Sequence, residues 1–142
     1  MKIDKRVFLD TNIILDFLDR KRPLNKSAQI LVNYLVSNDF DIFLSEDMLT
    51  TIYYIDKNHY RVLEFFTSIL FKWKIVPFGL DVVENAIELS LKRGIDFEDL
   101  LQCLCAIENN CDVFITNDKS IPNSNILVHS YEDFFEREKV KS

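Results

Sequence analysis

Carboxylates recur in four short stretches of this chain: Val7-Phe8-Leu9-Asp10-Thr11-Asn12, Ser45-Glu46-Asp47, Asp96-Phe97-Glu98-Asp99 and Val113-Phe114-Ile115-Thr116-Asn117-Asp118. The first and last are apolar runs that end in polar residues and Asp, the pattern of a buried strand delivering an acid to its C-terminal edge. Ligands of open α/β sheets bind at that edge. Carboxylates gathered there repel one another unless a cation sits among them. Oxygen donors of this kind suit a small hard ion such as Mg2+. The chemistry this pattern points to is metal-assisted.

Each position also has a plainer reading. An Asp after a strand is often a turn former or a helix cap. Thr11 and Asn12 are both able to cap, which would leave Asp10 free to face a cleft. Asp96 and Asp99 lie three apart at a helix start and so share a face. Asp96 reads as the cap. Asp99, where the helix turns apolar, reads as a carboxylate projecting from a core helix into a pocket. Thr116-Asn117-Asp118 is good turn sequence, yet a fourth strand beside the first would release Asp118 at the same edge as Asp10. Convergence carries the argument, not any single acid.

The elements that would position these acids alternate between strand and helix. Strands are expected at Val7–Leu9, Ile42–Leu44, Ile75–Val76, Val113–Thr116 and Ile126–Val128. Helices are expected over Asn12–Asp19, ended by Pro23, and over Lys26–Val36. A third covers Met48–Asp56, with Ser45 as its cap. Tyr60–Trp73 is amphipathic, with Val62, Phe66, Ile69 and Trp73 on one stripe. Asp81-Val82-Val83-Glu84 has the form of a capping box opening a helix that Gly94 stops after Arg93. Phe97–Asn109 is nearly all apolar from Leu100 to Ile107, as a central helix is. Ser130 starts a last helix with Phe134 and Phe135 turned inward, and disorder is expected at most in residues 137–142. The alternation predicts an α/β fold, a mostly parallel sheet of about five strands with helices on both faces. At 142 residues the chain reads as one domain, residues 1–142.

Composition excludes several classes. Two glycines, Gly79 and Gly94, leave no room for a glycine-rich phosphate loop. The three cysteines, Cys103, Cys105 and Cys111, have no C-x-x-C spacing and read as small core residues in a reducing cytoplasm. No signal peptide or membrane span is expected. The net charge of −6 argues against nucleic acid, whose binding rests on Lys and Arg at phosphates. An acidic metal site, however, inflates the negative count. The basic groups Lys5-Arg6, Arg20-Lys21-Arg22, Lys72 with Lys74 and Lys92-Arg93 read more readily as solvated helix ends than as phosphate contacts.

Phe8-Leu9-Asp10-Thr11-Asn12, Asp96-Phe97-Glu98-Asp99-Leu100-Leu101-Gln102 and Phe114-Ile115-Thr116-Asn117-Asp118 resemble the three motif blocks of the PIN domain, whose bacterial members include VapC-like toxins. The resemblance spans nearly the whole chain. It implies a five-stranded, mostly parallel sheet, and cleavage of RNA with Mg2+ or Mn2+. Asp10, Asp99 and Asp118 fall on the family's metal-site acids, and Thr116 and Asn117 on the polar residues before the last one. Asn12, Asp96 and Thr116 would orient the ligands. The resemblance also implies a homodimer and an antitoxin whose tail covers the acidic cleft. Tyr53, Tyr54 and the stretch from Tyr60 to Trp73 could serve an interface, or simply form an ordinary core helix.

One departure stands out. The family usually carries a Glu in the helix after the second strand, and the count from Ser45 reaches Thr51. Three outcomes stay open: Thr51 acts through its hydroxyl or a water, Asp96 or Glu46 takes over, or the site is weakened and the domain only binds RNA or protein. Glu46 and Asp47 are expected to point elsewhere on their helix. Two rivals fit less well. A phosphorylation receiver needs an acidic pair after strand one and a Lys after strand five, where this chain has Asp10 alone and Val128-His129-Ser130. A D-x-D-x-T phosphatase fails at Asn12.

Overall fold

The computed structural model describes residues 5–118 and 126–141. Five strands, β1 (Arg6–Leu9), β2 (Asp41–Ser45), β3 (Lys74–Val76), β4 (Val113–Ile115) and β5 (Leu127–His129), form one sheet in the order β3-β2-β1-β4-β5. Every pairing is parallel, with Phe8 of β1 in register with Phe43 on one side and Phe114 on the other. Val7, Phe8 and Leu9 are all buried, so β1 faces apolar surroundings on both sides of the sheet. A parallel sheet with that pattern is covered on both faces.

Among the described residues the cover comes from seven helices: α1 (Thr11–Leu18), α2 (Asn25–Ser37), α3 (Glu46–Ile55), α4 (His59–Ile69), α5 (Leu80–Arg93), α6 (Phe97–Glu108) and α7 (Tyr131–Lys141). α1 packs on α2 and α3, α5 on α6, and α6 on β2 and β4. An aromatic cluster of Tyr34, Phe40, Phe134 and Phe135 ties α7 to α2, with ring centroids about 6 Å apart. The three cysteines are buried free thiols. Burial pushes Cys103 and Cys105 up to about 11 and Cys111 up to about 12, so each stays a protonated core thiol at neutral pH.

The chain runs outward from β1 to β2 and β3, then returns to place β4 and β5 on the other side of β1. The C-terminal ends of β1 and β4 thus flank the point where the strand order reverses, the ligand crevice of an open α/β sheet. The Asp10 N–H donates to the Ile115 carbonyl at 2.9 Å, which locks the two exits side by side.

Several boundaries differ from those the sequence suggests. α4 ends at Ile69, because the Lys72 and Trp73 N–H groups both fold back on the Ile69 carbonyl. Its buried stripe is Val62, Phe65 and Ile69, while Phe66 and Trp73 are only partly buried. Tyr54 and Tyr60 are about 75% exposed, so they lie outside that stripe. α5 has no capping box: it opens at Gly79, whose φ of 81° suits a residue without Cβ, and Asp81 sits in the first turn instead. Gly94 closes α5 in the left-handed region, as its position suggests. Residues 137–141 continue α7. Ser130 caps that helix reciprocally: the Asp133 N–H donates to Ser130 Oγ, and the Ser130 N–H to Asp133 Oδ2. Among the described residues no helix is long and apolar enough to cross a membrane.

Candidate active site

Asp10 leaves β1 and immediately caps α1. Its Oδ1 accepts the Thr11 N–H at 2.8 Å, so the capping expected of Thr11 or Asn12 belongs to Asp10 itself. The carboxylate does both jobs because its other oxygen turns to the neighbouring strand exit. Oδ2 accepts from Thr116 Oγ1 at 2.7 Å and from Asn12 Nδ2 at 3.3 Å. A carboxylate offers about four acceptor sites. These three donors fix its plane and leave one site on Oδ1.

Thr116 links two acids. While its hydroxyl donates to Asp10, its oxygen accepts the Asp118 N–H at 3.0 Å. Asn12 closes the same knot by accepting the Asn117 N–H on Oδ1 at 3.2 Å. Residues from β1 and from the β4 exit are therefore stitched into one unit by short side chains, each with a defined partner.

The third acid arrives from α6. Asp96 caps that helix by accepting the Asp99 N–H at 3.0 Å, which pins the first turn and with it the start of the Asp99 side chain. The Asp99 carboxyl is pushed up to about 7. Partial burial is the main cause, followed by Asp118, Asp96 and Asp10, and a hydrogen bond with Asp118 adds to it. Asp10 is raised in the same direction, by burial first and with Asp118 adding, against the lowering effect of its three donors. The fold thus holds Asp10, Asp99 and Asp118 in one another's field at an unfavourable free energy.

Thr51 is not drawn into this group. Its hydroxyl turns back to the Asp47 carbonyl of its own helix. Asp47, expected to point elsewhere, instead faces α6. It accepts from Gln102 Nε2 at 3.3 Å, and it adds to the upward shift of Glu98, which partial burial causes first and Asp10 and Asp96 extend. Gln102 is buried and spans the gap, since its Oε1 accepts from Ser45 Oγ at 2.8 Å. Sequence reasoning turned Asp47 away from the site and gave Gln102 no role. The available signal was a lone amide in the apolar run of α6, which needs a partner when buried.

The arrangement fits a divalent ion. Every donor is a hard oxygen, and Asp99, raised mainly by partial burial, is raised further by Asp118, Asp96 and Asp10. Thr11 Oγ1, next in chain to Asp10, is buried with no hydrogen-bond partner. Among the described residues no three Asp, Glu, His or Cys side chains close around one point as a finished cage. The three acids alone therefore do not make an ion's cage, and waters and substrate phosphate would have to complete its shell.

Comparison with known proteins agrees with this fold. Residues 7–125 match the PIN domain. This chain belongs to the PIN-domain family. This PIN domain is 37% identical over 139 residues to Ribonuclease VapC1 of Aquifex aeolicus (strain VF5), covering 94% of this chain and 95% of that protein. Its fold is similar to that of VapC20 of Mycobacterium tuberculosis, described as a sarcin-ricin loop cleaving toxin, with a TM-score of 0.70 at 14% identity over 85% and 96% of the two chains. It is also similar to VapBC2 from Rickettsia felis, solved bound to a DNA fragment from its promoter, with a TM-score of 0.65 at 23% identity over 88% and 98%. At these identities the solved structures speak for the fold, and the PIN-domain sheet of five parallel strands is the one they share.

Proposed function

We propose that this PIN domain is a metal-dependent endoribonuclease that hydrolyses RNA phosphodiesters, and that it acts as the toxin of a toxin–antitoxin pair. The observation that carries the reading is the knot at the β1 and β4 exits, where Thr116 joins Asp10 to Asp118 and Asp99 faces them from α6 with its carboxyl raised to about 7. The identity to a named ribonuclease over nearly the full chain supports it.

Asp10, Asp99 and Asp118 would hold the ion, Mg2+ or Mn2+. When bound it neutralises phosphate charge and activates a water. The chain's own residues do the rest. Thr11, Asn12 and Thr116 keep the Asp10 carboxylate in one orientation, and Asp96 fixes the turn that presents Asp99. Asn117 and Thr116 hold the segment that presents Asp118. Asp47 and Glu98 extend the acidic surface on the side where the family usually has its helix Glu. An acidic cleft repels RNA until a cation is present, so substrate binding and metal binding are coupled.

The expected partners are an antitoxin protein, supported by the VapBC assembly among the similar folds, and a second copy of the chain, which rests on the family resemblance alone. Three buried free thiols fit a reducing cytoplasm. The position of Thr51 favours a second reading, a PIN domain that binds RNA or protein without cutting. Substituting Asp10 by Ala tests both. Loss of Mn2+-stimulated RNA cleavage from a variant that still folds, with its melting point lowered by the lost α1 cap, supports the nuclease. Cleavage that persists in Asp10→Ala identifies a contaminating enzyme and contradicts it. Cleavage absent from the parent chain leaves the binding reading.

A further inference from the structure

Asp16 sits on α1, outside the acid knot, and is 3% exposed. Its carboxylate collects donors from three separate segments. Arg22 Nε donates to Oδ1 at 2.7 Å, Asn117 Nδ2 to Oδ2 at 2.7 Å, and Tyr131 OH to Oδ2 at 3.0 Å. The ion pair with Arg22 explains how the charge is tolerated in the interior. It does not explain why the acid also takes the side-chain amide of the residue just before Asp118.

The connections of that amide do explain it. Asn117 is held at both ends, its side chain by Asp16 and its N–H by Asn12 Oδ1 at 3.2 Å. Asn12 in turn donates to Asp10 at 3.3 Å. An unbroken path therefore runs from Asp16 through Asn117 and Asn12 to Asp10, and the same residue, Asn117, leads directly into Asp118. Short side chains with fixed partners transmit position along such a path, because none can turn without leaving a buried polar atom unmatched. An acid is required at its root: only a carboxylate accepts from all three donors and donates to none.

We infer that Asp16 is a positioning residue, which by gripping Asn117 sets where Asp118 stands and, through Asn12, where Asp10 stands. The inference rests on the ribonuclease reading. Partners that orient metal ligands from behind commonly change activity by about 10-fold to 100-fold when removed. Asp16→Asn keeps the volume but replaces one acceptor by a donor. The account predicts that it lowers kcat for RNA cleavage by that factor and leaves KM for RNA within about twofold, since no RNA contact is lost. In metal-free protein it predicts faster hydrogen exchange of the Asn117 amide.

Val32→Ala, a truncation in buried α2, serves as the control for stability alone. It should lower Tm without moving either kcat or Asn117 exchange. If Asp16→Asn fails to fold, Asn117→Ala cuts the same grip from the loop side and leaves Asp16 with Arg22 and Tyr131. It should show the same fall in kcat. In the double variant the two losses should coincide, not multiply. Parent-like kcat and Asn117 exchange in Asp16→Asn, measured where Asp99→Asn abolishes cleavage, overturns this inference and leaves the nuclease standing. Unimpaired cleavage in Asp99→Asn as well overturns the nuclease reading itself.

Discussion

Asp99 shows most directly what the acids cost one another. Its carboxyl is raised from 3.8 to about 7 in the folded chain. Between those values the native state binds a proton that the unfolded state has released. Without metal, stability therefore falls as pH rises from 3.8 toward about 7, and the penalty is complete above that. Asp10 and Glu98 are shifted upward too and push the same way. Asp99→Asn removes the largest of these effects. Thermal melts in a chelator should show the difference in Tm between Asp99→Asn and the parent growing with pH across that window. A constant difference would mean that Asp99 is not under the strain described. At this scale the sequence was informative where an acid ends an apolar run, as Asp10 and Asp118 do. It gave no role to Asp16 or Gln102 and turned Asp47 aside, because their roles come from partners distant in the chain: Asn117 for Asp16, and each other for Asp47 and Gln102. No local pattern marks such pairs.

Helix ends deliver the acids, so capping is where elements and site meet. Asp96→Ala removes the side chain that accepts the Asp99 N–H, and a lost N-cap costs about 1 kcal/mol. The expected result is a loss of that order in unfolding free energy by chemical denaturation, together with weaker Mn2+ binding because the turn carrying Asp99 is loosened. Just upstream, Gly94 closes α5 at φ 67° with open space around its missing Cβ. Gly94→Ala should cost about 1–2 kcal/mol through backbone strain alone, with no clash to relieve. The succession of strands and helices, the neighbouring of β1 and β4 and most helix boundaries were legible because short unbroken apolar runs alternate with stretches whose apolar period is nearly four. The misplaced boundaries have a common cause. At α4 and α5 the sequence offers several residues able to stop or start a helix, and backbone turns at Ile69 and Gly79 make the choice.

On the scale of the molecule, the reversal of strand order beside β1 brings acids from opposite ends of the chain to one crevice. The net charge of −6 belongs to the same picture, since part of it is concentrated where an ion is needed. A ligand that binds only the folded state raises stability by mass action. Saturating Mn2+ should therefore raise Tm of the parent, and the rise should be small or absent in Asp10→Ala. The central claim is that Asp10, Asp99 and Asp118 share one divalent ion, and calorimetric titration of Mn2+ into the parent chain and into Asp99→Asn at neutral pH tests it most directly. The account predicts a single site in the parent, with protons released as Asp99 ionises, and a large loss of affinity in the variant. Equal affinity in the two proteins, or binding with no proton release, would contradict it.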